Sequence, residues 1–162
     1  MKKYITYIKE LFDTNNYKWI KKGSQNIAKF KLIDEYYIHF DSIGYNAFII
    51  YFYYIDLEGN RIFDIINVDN RSYKVLSNVK NCIEDFIKNN KVDFIGYSSY
   101  DNERDSLYML LLNNIKRKND ITSSKNIRRK KYYFLYDSSI NLESHLYIEK
   151  FMLNDDKIKK HK

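Results

Sequence analysis

The sequence predicts one α+β domain, an antiparallel tyrosine-rich sheet of about five strands packed by about four helices, in the order α-β-β-β-β-α-β-α-β-α. Three observations carry this expectation. Between residues 17 and 68, short aromatic and β-branched runs alternate with polar breaks, the pattern of strands. Between 75 and 87 the apolar residues recur at steps of three and four, as on a helix with one buried face. At 162 residues the chain is long enough to bury roughly 70% of its unfolded surface without covalent staples.

Tyr4, Ile5, Ile8, Leu11 and Phe12 share one side at helical spacing, which predicts a first helix ending at Asp13-Thr14-Asn15-Asn16. Four strands are expected next, near 17–21, 27–40, 45–55 and 61–68. The turns between the last three fall at Asp41-Ser42-Ile43-Gly44 and Asp56-Leu57-Glu58-Gly59-Asn60. Glu-Gly-Asn tolerates positive φ, as a hairpin loop requires, so the strands flanking the second turn are expected to pair. Alternation puts Phe48, Ile50, Phe52 and Tyr54 on one face and Ala47, Ile49, Tyr51, Tyr53 and Ile55 on the other. Both faces are apolar or aromatic. Such a strand is either central and covered on both sides, the favoured reading, or presents tyrosines to a partner.

Asp69-Asn70-Arg71-Ser72 is a polar helix start, followed by Val75, Leu76, Val79, Cys82, Ile83, Phe86 and Ile87 and a stop at Asn89-Asn90. Val92 to Tyr97 reads as a buried strand interrupted by Gly96. A helix over 102–118 follows, capped by Ser98-Ser99-Tyr100-Asp101, with Leu107, Leu110, Leu111 and Ile115 as its core stripe. Lys116, Arg117 and Lys118 suit the negative end of its dipole. Residues 118–131 lack periodicity and read as a long exposed loop. Tyr132 to Tyr136 is a further strand, and Ser139 or Asn141 caps a last helix through Leu142, Leu146, Phe151 and Met152. The domain is expected to span 1–153, leaving 154–162 as a charged, frayed tail.

The helix segment Val75-Leu76-Ser77-Asn78-Val79, the strand 92–97 and the run Glu103-Arg104-Asp105-Ser106-Leu107-Tyr108 resemble a group of small uncharacterised bacterial proteins. Those proteins place an Arg-x-x-Leu-Tyr helix after a β-β-β-α-β core. The resemblance spans residues 30–117 and implies the layout alone, since it brings no activity and no catalytic residues.

The net charge of +7 favours anionic partners. Yet Lys, Asn, Ile and Tyr dominate, Pro is absent and only four Gly occur, a joint bias that AT-rich codons produce whatever the protein does. Charges interrupt the N-terminus before a signal-peptide core, and the longest apolar run, 47–55, is about half of what a membrane helix needs. The lone Cys82 forms no intramolecular disulfide. A cytoplasmic protein with no membrane contact and no cofactor is expected.

No glycine-rich phosphate loop, zinc-type cysteine pair or His-Glu-x-x-His is present, and His39, His145 and His161 are far apart in sequence. Two constellations remain. Asp101, Glu103 and Arg104 stand at a strand-to-helix junction, where Arg104 suits an anion and the carboxylates a cation; helix capping by Asp101 explains the same residues. The basic run Lys116, Arg117, Lys118, Lys125, Arg128, Arg129, Lys130 and Lys131, flanked by Tyr132 and Tyr133, suits single-stranded nucleic acid, and equally a solvated loop. The leading expectation is a noncatalytic interaction protein of the accessory, immunity or inhibitor type, from a bacterium or phage. It would bind a protein partner, or a second copy, through sheet tyrosines such as Tyr51 and Tyr53 or through the basic loop. The alternatives are a nucleic-acid-binding protein using 116–133 and a small metal- or phosphate-dependent enzyme centred on Asp101, Glu103 and Arg104.

Overall fold

The computed structural model describes residues 17–21, 25–31, 35–63, 70–99, 105–127, 129–141 and 148–160. The expected helix over 4–12 and the Asp101 to Arg104 cluster lie outside these residues. The elements run β1 (Tyr17–Lys21), β2 (Gln25–Lys31), β3 (Glu35–Gly44), β4 (Ala47–Ile55), β5 (Arg61–Phe63), α1 (Asn70–Asn89), β6 (Phe94–Ser99), α2 (Asp105–Ile115), β7 (Asp120–Ile127), β8 (Lys130–Asp137) and α3 (Ile148–Lys160).

Among the described residues, eight strands form one sheet in the order β1-β2-β3-β4-β6-β8-β7, with β5 paired to β4. Two neighbouring pairs in this order are non-consecutive in the chain, β4–β6 and β6–β8; the connection that includes α1 makes the β4–β6 contact parallel, Ala47 beside Phe94 and Ile49 beside Gly96. The remaining pairs are antiparallel. The α+β class and the wealth of tyrosine in the sheet match expectation; the element order, the strand number and the purely antiparallel sheet do not.

One face of the sheet carries the main core. Ala28, Phe30, Tyr36, Ile38, Phe40, Ile50, Phe52, Ile95, Tyr97, Tyr133 and Leu135 meet Val75, Val79, Ile83 and Phe86 of α1 and Tyr108, Leu112 and Ile115 of α2. Phe86 stacks on Phe40 at 4.1 Å between centroids and lies edge-on to Phe48. On the opposite face a smaller cluster of Ala47, Ile49, Phe94, Tyr132, Phe134 and Tyr136 packs around Phe151 of α3. The alternation predicted for β4 is therefore realised, and the strand is central.

Four expectations need correction. The span 27–40 is two strands, and β3 continues through 41–44, so the tight turn is Tyr45-Asn46, with φ of 55° and 56°. Residues 118–131 are not a loop: β7 occupies 120–127 and pairs with β8 from Asp120 beside Asp137 to Ile127 beside Lys130. This is an edge strand, so it is held by backbone bonds on one side and has little apolar burial to mark it. The helix expected over 102–118 is α2, described over 105–115; it ends before 116, and 102–104 lie outside the described residues. The tail is not frayed from 154: α3 runs to Lys160, because Asp155 is drawn into a buried ion pair.

Candidate functional site

On the face shared with α3, but in a row extending away from Phe151, the register of β3 and β4 places His39 opposite Tyr51 and Tyr37 opposite Tyr53. Directly opposed residues on one face of an antiparallel pair lie close enough for their rings to touch. His39 stacks on Tyr51 at 4.6 Å and Tyr37 on Tyr53 at 5.4 Å. The Arg61 guanidinium on β5 stands 4.7 Å above the Tyr53 ring.

The row is also a hydrogen-bond chain. Tyr53 Oη lies 2.8 Å from His39 Nε2, His39 Nδ1 lies 3.0 Å from Tyr51 Oη, and Tyr51 Oη donates to Asp41 Oδ2 at 3.1 Å. With a carboxylate at Asp41 and a neutral imidazole, one assignment satisfies every link: Tyr53 donates to Nε2, Nδ1–H donates to Tyr51, and Tyr51 donates to Asp41. His39 is 6% exposed and Tyr53 4%. Asp41 Oδ1 is buried without a hydrogen-bond partner among the described residues. Burial raises the Asp41 carboxyl above its ordinary value, partly offset by the Tyr51 bond, and burial followed by the Asp41 charge raises the Tyr51 hydroxyl.

A second polar group lies where the sheet parts. β4 pairs with β6 through 47–49 and with β5 through 53–55, so the strands separate around Ile50 to Phe52. There Asp155, 2% exposed, takes both a charge and a hydroxyl. Lys130 Nζ stands 3.1 Å from its Oδ2 and 3.3 Å from Asp156 Oδ1. Ser98 Oγ lies 2.9 and 2.8 Å from the two Asp155 oxygens, so its single hydrogen is shared between them. The adjoining cavity, lined by Ile50, Tyr51, Phe52, Tyr97, Ser98, Tyr108 and Asp155, has a volume of about 10 Å³, space for about one water.

The structure scatters the basic run. Arg117 is clamped to Asp120 at 2.7 Å and to the Val92 carbonyl, Lys130 is buried with Asp155, and Lys131 pairs with Asp105. Tyr132 and Tyr133 are buried. Lys116 and Lys118 are exposed at one end of the β7–β8 hairpin, and Arg129, at φ 68°, is exposed at its tip. Lys125 lies between them on the edge strand, opposite Tyr132, and Arg128 lies outside the described residues. Of the sequence candidates, Tyr51 and Tyr53 are brought together in the row, whereas Arg104 and Asp101 lie outside the described residues. Sequence reasoning missed His39 and Asp41; the signal that finds them is the β3–β4 register. Among the described residues no group of three His, Cys, Asp or Glu side chains is placed to hold a metal, and no helix is long and apolar enough to cross a membrane. No family model, curated protein or solved structure matches this chain.

Proposed function

We propose that the chain is a noncatalytic interaction protein, of the accessory, immunity or inhibitor type in a bacterium or phage, that binds a protein partner through the face that half-buried Tyr37 and exposed Arg61 form over the buried Tyr53 ring. The observation that carries this reading is the stack itself. Tyr37 lies on Tyr53, Arg61 covers the same ring, and His39 fixes the Tyr53 hydroxyl from behind. Tyrosine and arginine dominate binding hot spots, and side chains already held in place lose little entropy on docking. Arg61 and the chain's +7 charge direct this face towards an acidic partner.

The nucleic-acid alternative has less support. Stacking of bases needs accessible rings, and the tyrosines beside the basic run are buried while Arg117, Lys130 and Lys131 already face carboxylates. An enzyme centred on Asp101, Glu103 and Arg104 concerns residues outside those described.

The test is capture from native lysate after nuclease treatment, using the parent chain, Tyr37→Ala, Arg61→Ala and the pair Lys125→Ala/Arg129→Ala. A nuclease-resistant protein retained by the last variant and lost by the first two supports this face. Capture abolished by nuclease and by the hairpin pair alone overturns it. Self-association that rises with concentration and is lost in Arg61→Ala identifies the partner as a second copy.

A further inference from the structure

We infer that the chain Asp41, Tyr51, His39, Tyr53 is a one-proton polarity switch, in which uptake of a single proton turns Tyr53 from a hydrogen-bond donor into an acceptor. The four groups are linked in series by contacts of 3.1, 3.0 and 2.8 Å. Each hydroxyl has one hydrogen to donate, and each nitrogen either carries a hydrogen or accepts one. With no added proton, Nε2 is bare and Tyr53 donates to it.

Two states contain one proton more. In the first, the proton sits on His39: Nδ1–H still points to Tyr51, Tyr51 still donates to Asp41, and Nε2–H now points at Tyr53. In the second, the proton sits on Asp41 and every link reverses: Asp41 donates to Tyr51, Tyr51 to Nδ1, and Nε2–H again to Tyr53. The two differ by the shift of hydrogens along the chain, so they titrate as one coupled system. Both end with a hydrogen on Nε2, so the Tyr53 hydrogen must turn to another acceptor. No bond other than those to hydrogen changes.

The surroundings set the balance between the two states. On β2, Ile27 lies beside His39 and Lys29 lies beside Tyr37; Lys18 on β1 shares their face. On β3 itself, Tyr37 and Asp41 flank the imidazole, and Glu35 holds Lys29 at 3.1 Å. β4 contributes Tyr51 and Tyr53, β5 contributes Arg61, and Asp155 of α3 borders the cavity that Tyr51 lines. The nearby cations oppose a positive imidazole, while the Asp41 carboxylate, two residues along the same face, favours it. The switch is a property of the chain alone and does not rest on a partner. Tyr53 underlies Tyr37 and Arg61, so the hydrogen-bond sense of the recognition face follows pH.

The test is long-range proton–nitrogen NMR of the full chain from about pH 8 to about pH 5, the range in which imidazoles titrate. His39 signals are identified by their loss in His39→Gln. At the alkaline end Nδ1 should carry the hydrogen and Nε2 be bare; Nε2 should gain its hydrogen in one step as pH falls, with backbone spectra still those of the folded chain. Asp41→Asn should lower that midpoint by about one unit. Tyr51→Phe, which keeps the ring but cuts the chain, should erase the preference for the Nδ1–H form. An Nε2–H imidazole at the alkaline end, a bare Nε2 down to acid unfolding, or a midpoint unmoved in both variants overturns the inference.

Discussion

Gly96 of β6 lies directly beneath the ring of Phe151: a β-carbon at position 96 would stand 2.6 Å from Cε2 and 2.8 Å from Cδ2. Glycine here is a packing requirement, since the notch it leaves seats Phe151 of α3, fully buried against Phe94, Tyr132 and Phe134. α3 is thus fixed to the sheet at two points, by shape at Gly96 and by charge at Asp155.

The shape contact predicts that Gly96→Ala destabilises the protein by about 1–3 kcal/mol, the usual cost of overpacking a filled core. Pairing it with Phe151→Leu should recover part of that loss, so the two changes are non-additive in a double-mutant cycle. Urea melts of the four proteins decide. Additive losses would mean that the ring and the notch are not coupled.

The charge contact behaves differently. Lys130→Met leaves the Asp155 charge buried beside the Ser98 hydroxyl and should cost about 3–5 kcal/mol. Replacing both ends, Lys130→Met with Asp155→Leu, removes the stranded charge and should restore most of the stability, since apolar pairs often match buried ion pairs. Chemical denaturation measures both. A double variant as weak as the single one would show that the pair itself, rather than avoidance of a lone charge, holds α3 down.

Asp41 gives a pH signature. Its carboxyl is raised by burial, so the native chain retains the proton to higher pH than the unfolded chain does. The resulting stability is fully present below the unfolded value of ~3.9 and is lost as pH rises through the native value. Asp41→Asn has no charge to bury and its amide oxygen still accepts from Tyr51. The variant should therefore melt above the parent at pH 7, with the gap closing towards about pH 4. Thermal melts across that range test it, and a gap that widens on acidification would contradict the burial argument.

Much of this architecture is legible in the sequence where one face of an element is apolar. The step of three and four from Val75 to Phe86 marks α1, and the period of two in 47–55 divides β4 into its two buried faces. β7 was illegible because Asp120-Ile121-Thr122-Ser123-Ser124-Lys125-Asn126-Ile127 gains backbone bonds on one side and buries little. The His39 row was illegible for a different reason. Its members are distant in sequence and meet through register, and register depends on where the turn falls. A turn at 41–44 puts His39 opposite Asn46; a turn at Tyr45-Asn46, with a bulge near Ser42, puts it opposite Tyr51. The same displacement hides Asp41, which a turn assignment makes a surface residue.

The outermost strand offers a final test of how far the sheet's edge depends on side chains. β1 pairs with β2 alone among the described strands, over 17–21. Its second attachment is to α1: Trp19 Nε1 donates to Asp85 Oδ2 at 3.0 Å, and Tyr17 Oη reaches the same oxygen at 3.2 Å. Trp19 also lies 5.6 Å from Phe40 and 6.3 Å from Phe86, centroid to centroid. Trp19 is the one tryptophan of the chain, so its emission reports this docking and nothing else. Asp85→Ala removes a charged acceptor shared by these two donors and, within α1, by Asn89 Nδ2 at 2.8 Å, and should cost about 1.5–3 kcal/mol, with Asn89→Ala as the control for the helix bond. Because the loss concentrates at an edge, local opening of β1 should precede global unfolding. Tryptophan emission should then shift at lower urea than the far-ultraviolet signal of α1, whereas coincident transitions would show that β1 is held by its backbone ladder and aromatic packing alone.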